Sequence, residues 1–191
     1  RYAFAHALTQ QALYEELRAP QRALLHRRAG EAQEHAFEPA RAIDENVTEL
    51  AHHFYEAAPG GDVPKSIAYS VAAANACHCQ HGYDEAVGFH ERALEALSLE
   101  SPVNEIRRAE LLLALGEAKH IAGQRDAAHE TLRQSAQIAR AHEHWALMAE
   151  AAVPIRGFGE LGSRPADDID ALLNDALERP PDSAPRRTSH A

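Results

Sequence analysis

Apolar positions recur along this chain at helical spacing, in bursts separated by proline, glycine and aspartate. The chain opens on a strand-like Tyr2-Ala3-Phe4. The period then switches at once to a helical one, with Ala5, Leu8, Ala12 and Leu17 on one face. With no initiator methionine and no polar lead-in, this opening reads as the inside of a structured element, and a piece of a larger protein is expected. Pro20 suits the first turn of a second helix, because the amide it lacks would be unpaired there anyway. Leu24, Leu25, Ala29, Ala32 and Ala36 form its expected inner face, and it should stop near Pro39. A third helix is predicted from about Ile43 to Ala58, with Ile43, Val47, Leu50 and Phe54 inward. Pro59-Gly60-Gly61-Asp62 breaks the pattern. Asp62 is then expected to cap, and Pro64 to open, a helix reaching about Gln80 and closed by Gly82.

A two-helix unit follows and repeats. Asp84 is expected to cap a helix holding Ala86, His90, Ala93 and Leu97. Pro102 is expected to open a leucine-rich helix that Gly123 closes, and the next helix carries Ala128, Leu132 and Ser135. A further pair is read from Trp145 to about Val153, interrupted by Pro154, and from Asp167 to Glu178 with Ile169, Leu173 and Ala176. Each second helix shows the spacing i, i+4, i+7. Ala128 lies 42 residues after Ala86, and Ile169 lies 41 after Ala128. Two helices in about 40 residues is the pattern of an α-solenoid. The polar, proline-rich residues 180–191 read as a disordered tail.

Composition narrows the function. A formal net charge of -10 argues against the whole chain being a nucleic-acid binder, which needs a basic face. No apolar run approaches the roughly 18 to 20 residues of a membrane span. Cys77 and Cys79 stand too close for an ordinary disulfide staple, so a reducing, cytoplasmic setting is expected. Alanine dominates the apolar set and aromatics make up 6%, which favours closely packed helices.

Leu115-Gly116 followed by Ala128 and Leu132 resembles the tetratricopeptide repeat, as does the run from Tyr83 through Ala86, His90 and Ala93 to Leu94. Small residues there let helices approach, and large ones fill the groove between units. His90 stands where an aromatic is usual, Lys119 where a large apolar residue is usual, and the units are longer than the standard repeat. The fold this implies is all-α: a right-handed tetratricopeptide-like solenoid of helical hairpins over residues 38–179. It would follow a short winged-helix remnant over residues 1–37.

That N-terminal part rests on a second resemblance. Arg1-Tyr-Ala-Phe-Ala-His6-Ala-Leu8, a helix ending near Leu17, and Leu24-Leu25-His26-Arg27-Arg28-Ala29-Gly30-Glu31-Ala32 together resemble the winged-helix end of STAND-type P-loop ATPases. These occur in large LuxR-type transcriptional regulators and some class III nucleotide cyclases. Leu50-Ala51-His52-His53-Phe54 is similar to that family's first array helix. In related proteins a winged-helix histidine, often within Met-His-Asp, contacts the β-phosphate of ADP. His6 stands in the matching place, with Ala5 and Ala7 as its neighbours. The resemblance implies ATP or ADP in the parent protein and a protein or small-molecule inducer on the array. It implies DNA only through a domain outside this chain, and no membrane. No Gly-x-x-x-x-Gly-Lys-[Ser/Thr] occurs, so the chain by itself is not expected to be an enzyme or to carry a cofactor. The rival readings are a stand-alone tetratricopeptide adaptor and the regulatory region of an ATPase-linked class III nucleotide cyclase.

Other groupings are weaker. Cys77 and His81 would share a helix face, yet two ligands do not make a metal site. Glu49, His52 and His53 suggest a metal-dependent hydrolase, but the order His-Glu-x-x-His is absent, Glu49 and His53 can pair on one helix face, and no metal is expected. Arg18, Arg22, Arg27 and Arg28 are read as answering Glu15, Glu16, Glu31 and Glu34, and Trp145 as a packing anchor between repeats.

Overall fold

The computed structural model describes residues 7–36 and 40–159. Every regular element among them is helical: α1 (Ala7–Glu16), α2 (Ala19–Ala36), α3 (Ala40–Ala57), a 3-10 turn (Ala58–Gly60), α4 (Val63–Cys79), α5 (Tyr83–Leu97), α6 (Glu105–Ile121), α7 (Arg125–Ala141) and α8 (Trp145–Gly159). The strand expected at Tyr2–Phe4, His6, the helix expected at Asp167–Glu178 and the tail after Pro180 lie outside the described residues. From α2 onward each helix packs chiefly on the next in the chain, and α6 also touches α8. No helix among the described residues is long and apolar enough to cross a membrane.

The pairs α4–α5 and α6–α7 are in register. Both α4 and α6 have 17 residues, and each boundary of α6 follows that of α4 by 42, as the start of α7 follows that of α5. Burial keeps the same register. Ile67, Ser70, Ala73 and Ala74 of α4 correspond to Ala109, Leu112, Leu115 and Gly116 of α6, all buried. Ala86, His90, Ala93 and Leu97 of α5 correspond to Ala128, Leu132, Ser135 and Ala139 of α7, also all buried. The expected i, i+4, i+7 faces are therefore the core faces of α5 and α7.

Gly116 has a steric reason. A Cβ there would stand 2.5 Å from Leu132 Cγ, so only glycine lets α6 and α7 come this close. The Ser135 hydroxyl donates across the same seam to Ala109 O at 2.7 Å. The Lys119 side chain is largely buried and reaches Glu91 at 3.1 Å.

Three helix ends share one closing turn. His81, Gly123 and Glu143 have φ of 64°, 80° and 56°, in the left-handed region. After α4, the amide of Gly82 donates to Cys77 O at 2.9 Å and that of His81 to His78 O at 3.1 Å. The same two bonds close α6 at Gly123–Gln124 and α7 at Glu143–His144.

Several expected details change. Gly82 does not take the left-handed turn; His81 does, and Gly82 is the N-cap of α5. Asp84 lies inside the first turn of α5, where its carboxylate accepts from Gln124 Nε2 at 3.2 Å and suits the positive end of the helix dipole. Asp62 occupies the N-cap of α4 but makes no capping bond. Its Oδ2 lies 3.2 Å from Arg27 Nε, off the hydrogen-bonding direction. Pro102 precedes α6, and Asn104 is the cap, its Oδ1 accepting from the Arg107 amide at 3.0 Å. Helix α8 runs past Pro154 to Gly159, giving up the one bond proline cannot donate. The face of α2 is reversed: Ala23 and Gly30 are buried, while Leu24 and Leu25 are about half exposed. Gly30 decides this, because a Cβ there would be 3.0 Å from the Phe54 ring of α3. The helix turns its small residues, not its leucines, toward that aromatic.

Candidate functional site

Helix α3 carries Glu49, His52, His53 and Glu56 at i, i+3, i+4 and i+7, the spacing that puts four side chains on one stripe. Phe54 and Leu50 hold the other side of α3 in the core with no exposed surface. Gly30 lets α2 lie close against α3, and this brings His26 of α2 onto the stripe. The three imidazole centroids form a nearly regular triangle: His26–His52 5.4 Å, His26–His53 5.2 Å and His52–His53 5.6 Å. His26 Nδ1 and His53 Nδ1 are 3.0 Å apart. On the far side of the rings, Tyr14 Oη of α1 lies 3.0 Å from His26 Nε2, and Glu49 Oε1 lies 4.0 Å from His53 Nε2. Arg22 covers the Tyr14 ring at 5.5 Å. Among the described residues, this is the one grouping of three or more His, Cys, Asp or Glu side chains whose donor atoms lie within 4.8 Å of one another.

Burial favours the neutral form of the two inner rings, His26 and His53. Burial lowers the His26 pKa, with His53 and His52 adding to the effect and Glu56 opposing it. Burial also lowers that of His53, reinforced by His52 and opposed by Glu49. His52 is exposed and closes the triangle from the solvent side.

The other sequence candidates do not converge. Helix α4 ends at Cys79, so His81 sits in the left-handed turn and not on the helix face of Cys77. His78 and His81 meet Tyr83 edge-on, at 5.5 and 5.9 Å. The Cys77 thiol is pushed up by burial and by Glu85, away from the reactive thiolate. In the basic cluster, Arg27 pairs with Glu31 at 3.1 Å, as expected. Trp145 is half-buried beside the cluster of Ala109, Ala136, Leu147 and Met148. His6, the candidate nucleotide contact, lies outside the described residues.

Sequence reasoning grouped Glu49, His52 and His53 and left out His26. The i, i+3, i+4, i+7 stripe was visible in the sequence. The arrival of a residue 26 positions upstream depends on how two helices pair, and no spacing rule encodes it. A concavity of about 360 Å³ lies where α5 ends and α6 begins, lined by Leu94, Leu97, Val103, Leu112, Glu95 and Arg108, among others. Compared with models of protein families, with curated proteins and with solved structures, the chain gave no significant match.

Proposed function

We propose that this chain is a regulatory and protein-interaction scaffold, a right-handed tetratricopeptide-like solenoid belonging to an ATP-dependent signal-transducing regulator. The observation that carries the scaffold reading is the 42-residue register of α4–α5 with α6–α7, sealed by Gly116 against Leu132. Stacked hairpins that touch mainly their neighbours make an extended surface rather than an enclosed catalytic pocket. The concavity at the α5–α6 junction has the size of a small-ligand site and offers apolar walls with one acidic and one basic side chain, Glu95 and Arg108. It is the place for an inducer.

The nucleotide link rests on resemblance in residues 1–37. The half-exposed Leu24 and Leu25 support it, since they give α2 an apolar face for an adjoining module to cover. Inducer binding on the array would shift the parent protein between ADP-bound and ATP-bound forms. The test uses a protein carrying the upstream ATPase module. His6→Ala is expected to weaken ADP retention at least several-fold in equilibrium dialysis. Unchanged retention refutes the nucleotide-sensing part and leaves the scaffold part to stand on its own geometry.

A further inference from the structure

We propose that His26, His52 and His53 bind one divalent transition-metal ion of the zinc type on the α2–α3 hairpin, with Tyr14 and Glu49 orienting the two inner rings. The site does not depend on the register of α4–α5 with α6–α7 that carries the scaffold reading, because its residues lie on α1, α2 and α3.

The donor set selects the ion. Three imidazoles suit zinc, copper or nickel, whereas magnesium and calcium require oxygen ligands. Zinc sites with three protein ligands keep a fourth position for water, and the exposed edge at His52 leaves room for one. The spacing is close to what coordination needs. Zn–N bonds of about 2.0–2.1 Å in a tetrahedron place nitrogens roughly 3.3 Å apart. The inner pair stands at 3.0 Å, and the His52 donor lies within 4.8 Å of both. His52, exposed on the same helix stripe, is the ring that has to turn to complete the set.

The outer partners strengthen the assignment. Metal-bound histidines usually donate their far N–H to an oxygen, which fixes the tautomer and aims the near nitrogen at the ion. Here both inner rings turn Nε2 toward an oxygen, Tyr14 Oη for one and Glu49 Oε1 for the other, and both turn Nδ1 toward each other. With both Nε2 protonated, two lone pairs would face each other at 3.0 Å, and a cation bound by both makes that contact favourable. Without a cation, one Nδ1 must carry the proton instead, giving a hydrogen-bonded chain from Tyr14 through His26 to His53. Phe54 packed under the stripe fixes α3, so little order is lost on binding.

The test is a titration of the chelator-treated full chain, with ZnCl2 in a calorimeter and CoCl2 in a spectrophotometer. The expected result is one ion per chain, with cobalt bands of low-coordinate nitrogen ligation, no thiolate charge-transfer band, and displacement by zinc. His26→Ala and the exposed His52→Ala should each weaken binding by at least about tenfold, and Tyr14→Phe by about tenfold. The double variant Cys77→Ser/His81→Ala should bind as the parent does. Far-UV circular dichroism of each variant checks the fold, and His52→Ala tests the site even if His26→Ala disturbs the hairpin. Absence of a saturable site overturns the proposal, as does unchanged affinity in His52→Ala or loss of binding in the Cys77→Ser/His81→Ala variant.

Discussion

Gly116→Ala adds one methyl group where α6 meets α7. Its Cβ would lie 2.5 Å from Leu132 Cγ, 2.7 Å from Leu132 Cδ2 and 3.3 Å from the Leu132 amide nitrogen. Carbon–carbon contacts settle at about 3.5–4.0 Å, so roughly 1 Å must be found. Leu132 cannot supply it cheaply. Its Cγ is one bond from its own Cβ, the side chain is fully buried, and the amide nitrogen belongs to the backbone of α7. The helices must part, which also stretches the 2.7 Å bond from Ser135 to Ala109. Overpacking of this kind costs about 1–3 kcal/mol, and alanine returns about 1 kcal/mol of helix propensity. Because the obstacle includes backbone, the strain belongs at the upper end. The net loss is about 2 kcal/mol, or roughly 4–8 °C in Tm for a chain of this size. Gly88→Ala is the control: its Cβ would meet nothing within 4 Å in α5, so the propensity gain alone remains, about 0.5–1 kcal/mol. Thermal and urea unfolding followed by circular dichroism measure both. In a double-mutant cycle, Leu132→Ala should cost less in the Gly116→Ala background than alone. A Gly116→Ala protein as stable as Gly88→Ala would refute the close-approach argument.

Three further outcomes are expected. His81→Gly and Glu143→Gly should each raise stability by about 0.5–1 kcal/mol, since side-chain-bearing residues pay for the left-handed turn that Gly123 makes freely; unfolding midpoints check this. His90, buried with Nδ1 unpartnered, has its pKa lowered by burial from 6.5. The unfolded chain therefore binds the proton first, and stability falls as pH drops through 6.5 toward the folded value. His90→Leu, which copies Leu132, should stabilise the chain by roughly 1 kcal/mol near neutrality and remove that component of the acid loss in urea titrations at stepped pH. Of the five tyrosines, two should ionise late in a spectrophotometric titration. Tyr55 is pushed up to about 12 first by its hydrogen bond to Glu95, and Tyr69 to about 12 first by burial and then by Glu34. Glu34→Gln should bring Tyr69 part of the way back and leave Tyr55 unchanged.

The fold was legible where packing obeys helical periodicity. Ala86, His90 and Ala93, and then Ala128, Leu132 and Ser135, stand one turn apart, and the structure buries all six. Gly123 announced its turn because glycine is the residue that turn prefers. His81 and Glu143 did not, since nothing in a histidine or glutamate signals a positive φ. In α2 hydrophobicity misled. Leu24 and Leu25 outweigh Ala23 and Gly30 on any polarity scale, yet the helix follows the space that Phe54 requires. Pro102 and Asp84 show a related limit. Both favour helix starts in general, but the side chain that satisfies the open amides of α6 belongs to Asn104. For the candidate site, the stripe on α3 was readable and its partner His26 was not, because the pairing of α2 with α3 is a tertiary fact.

Small-angle X-ray scattering of the full chain tests most directly whether the hairpins stack into an extended scaffold. A compact globule of this length has a radius of gyration of about 16 Å. Side-by-side stacking predicts a clearly larger radius and a skewed distance distribution with a long shoulder. A symmetric distribution with a radius at the compact value would contradict the account.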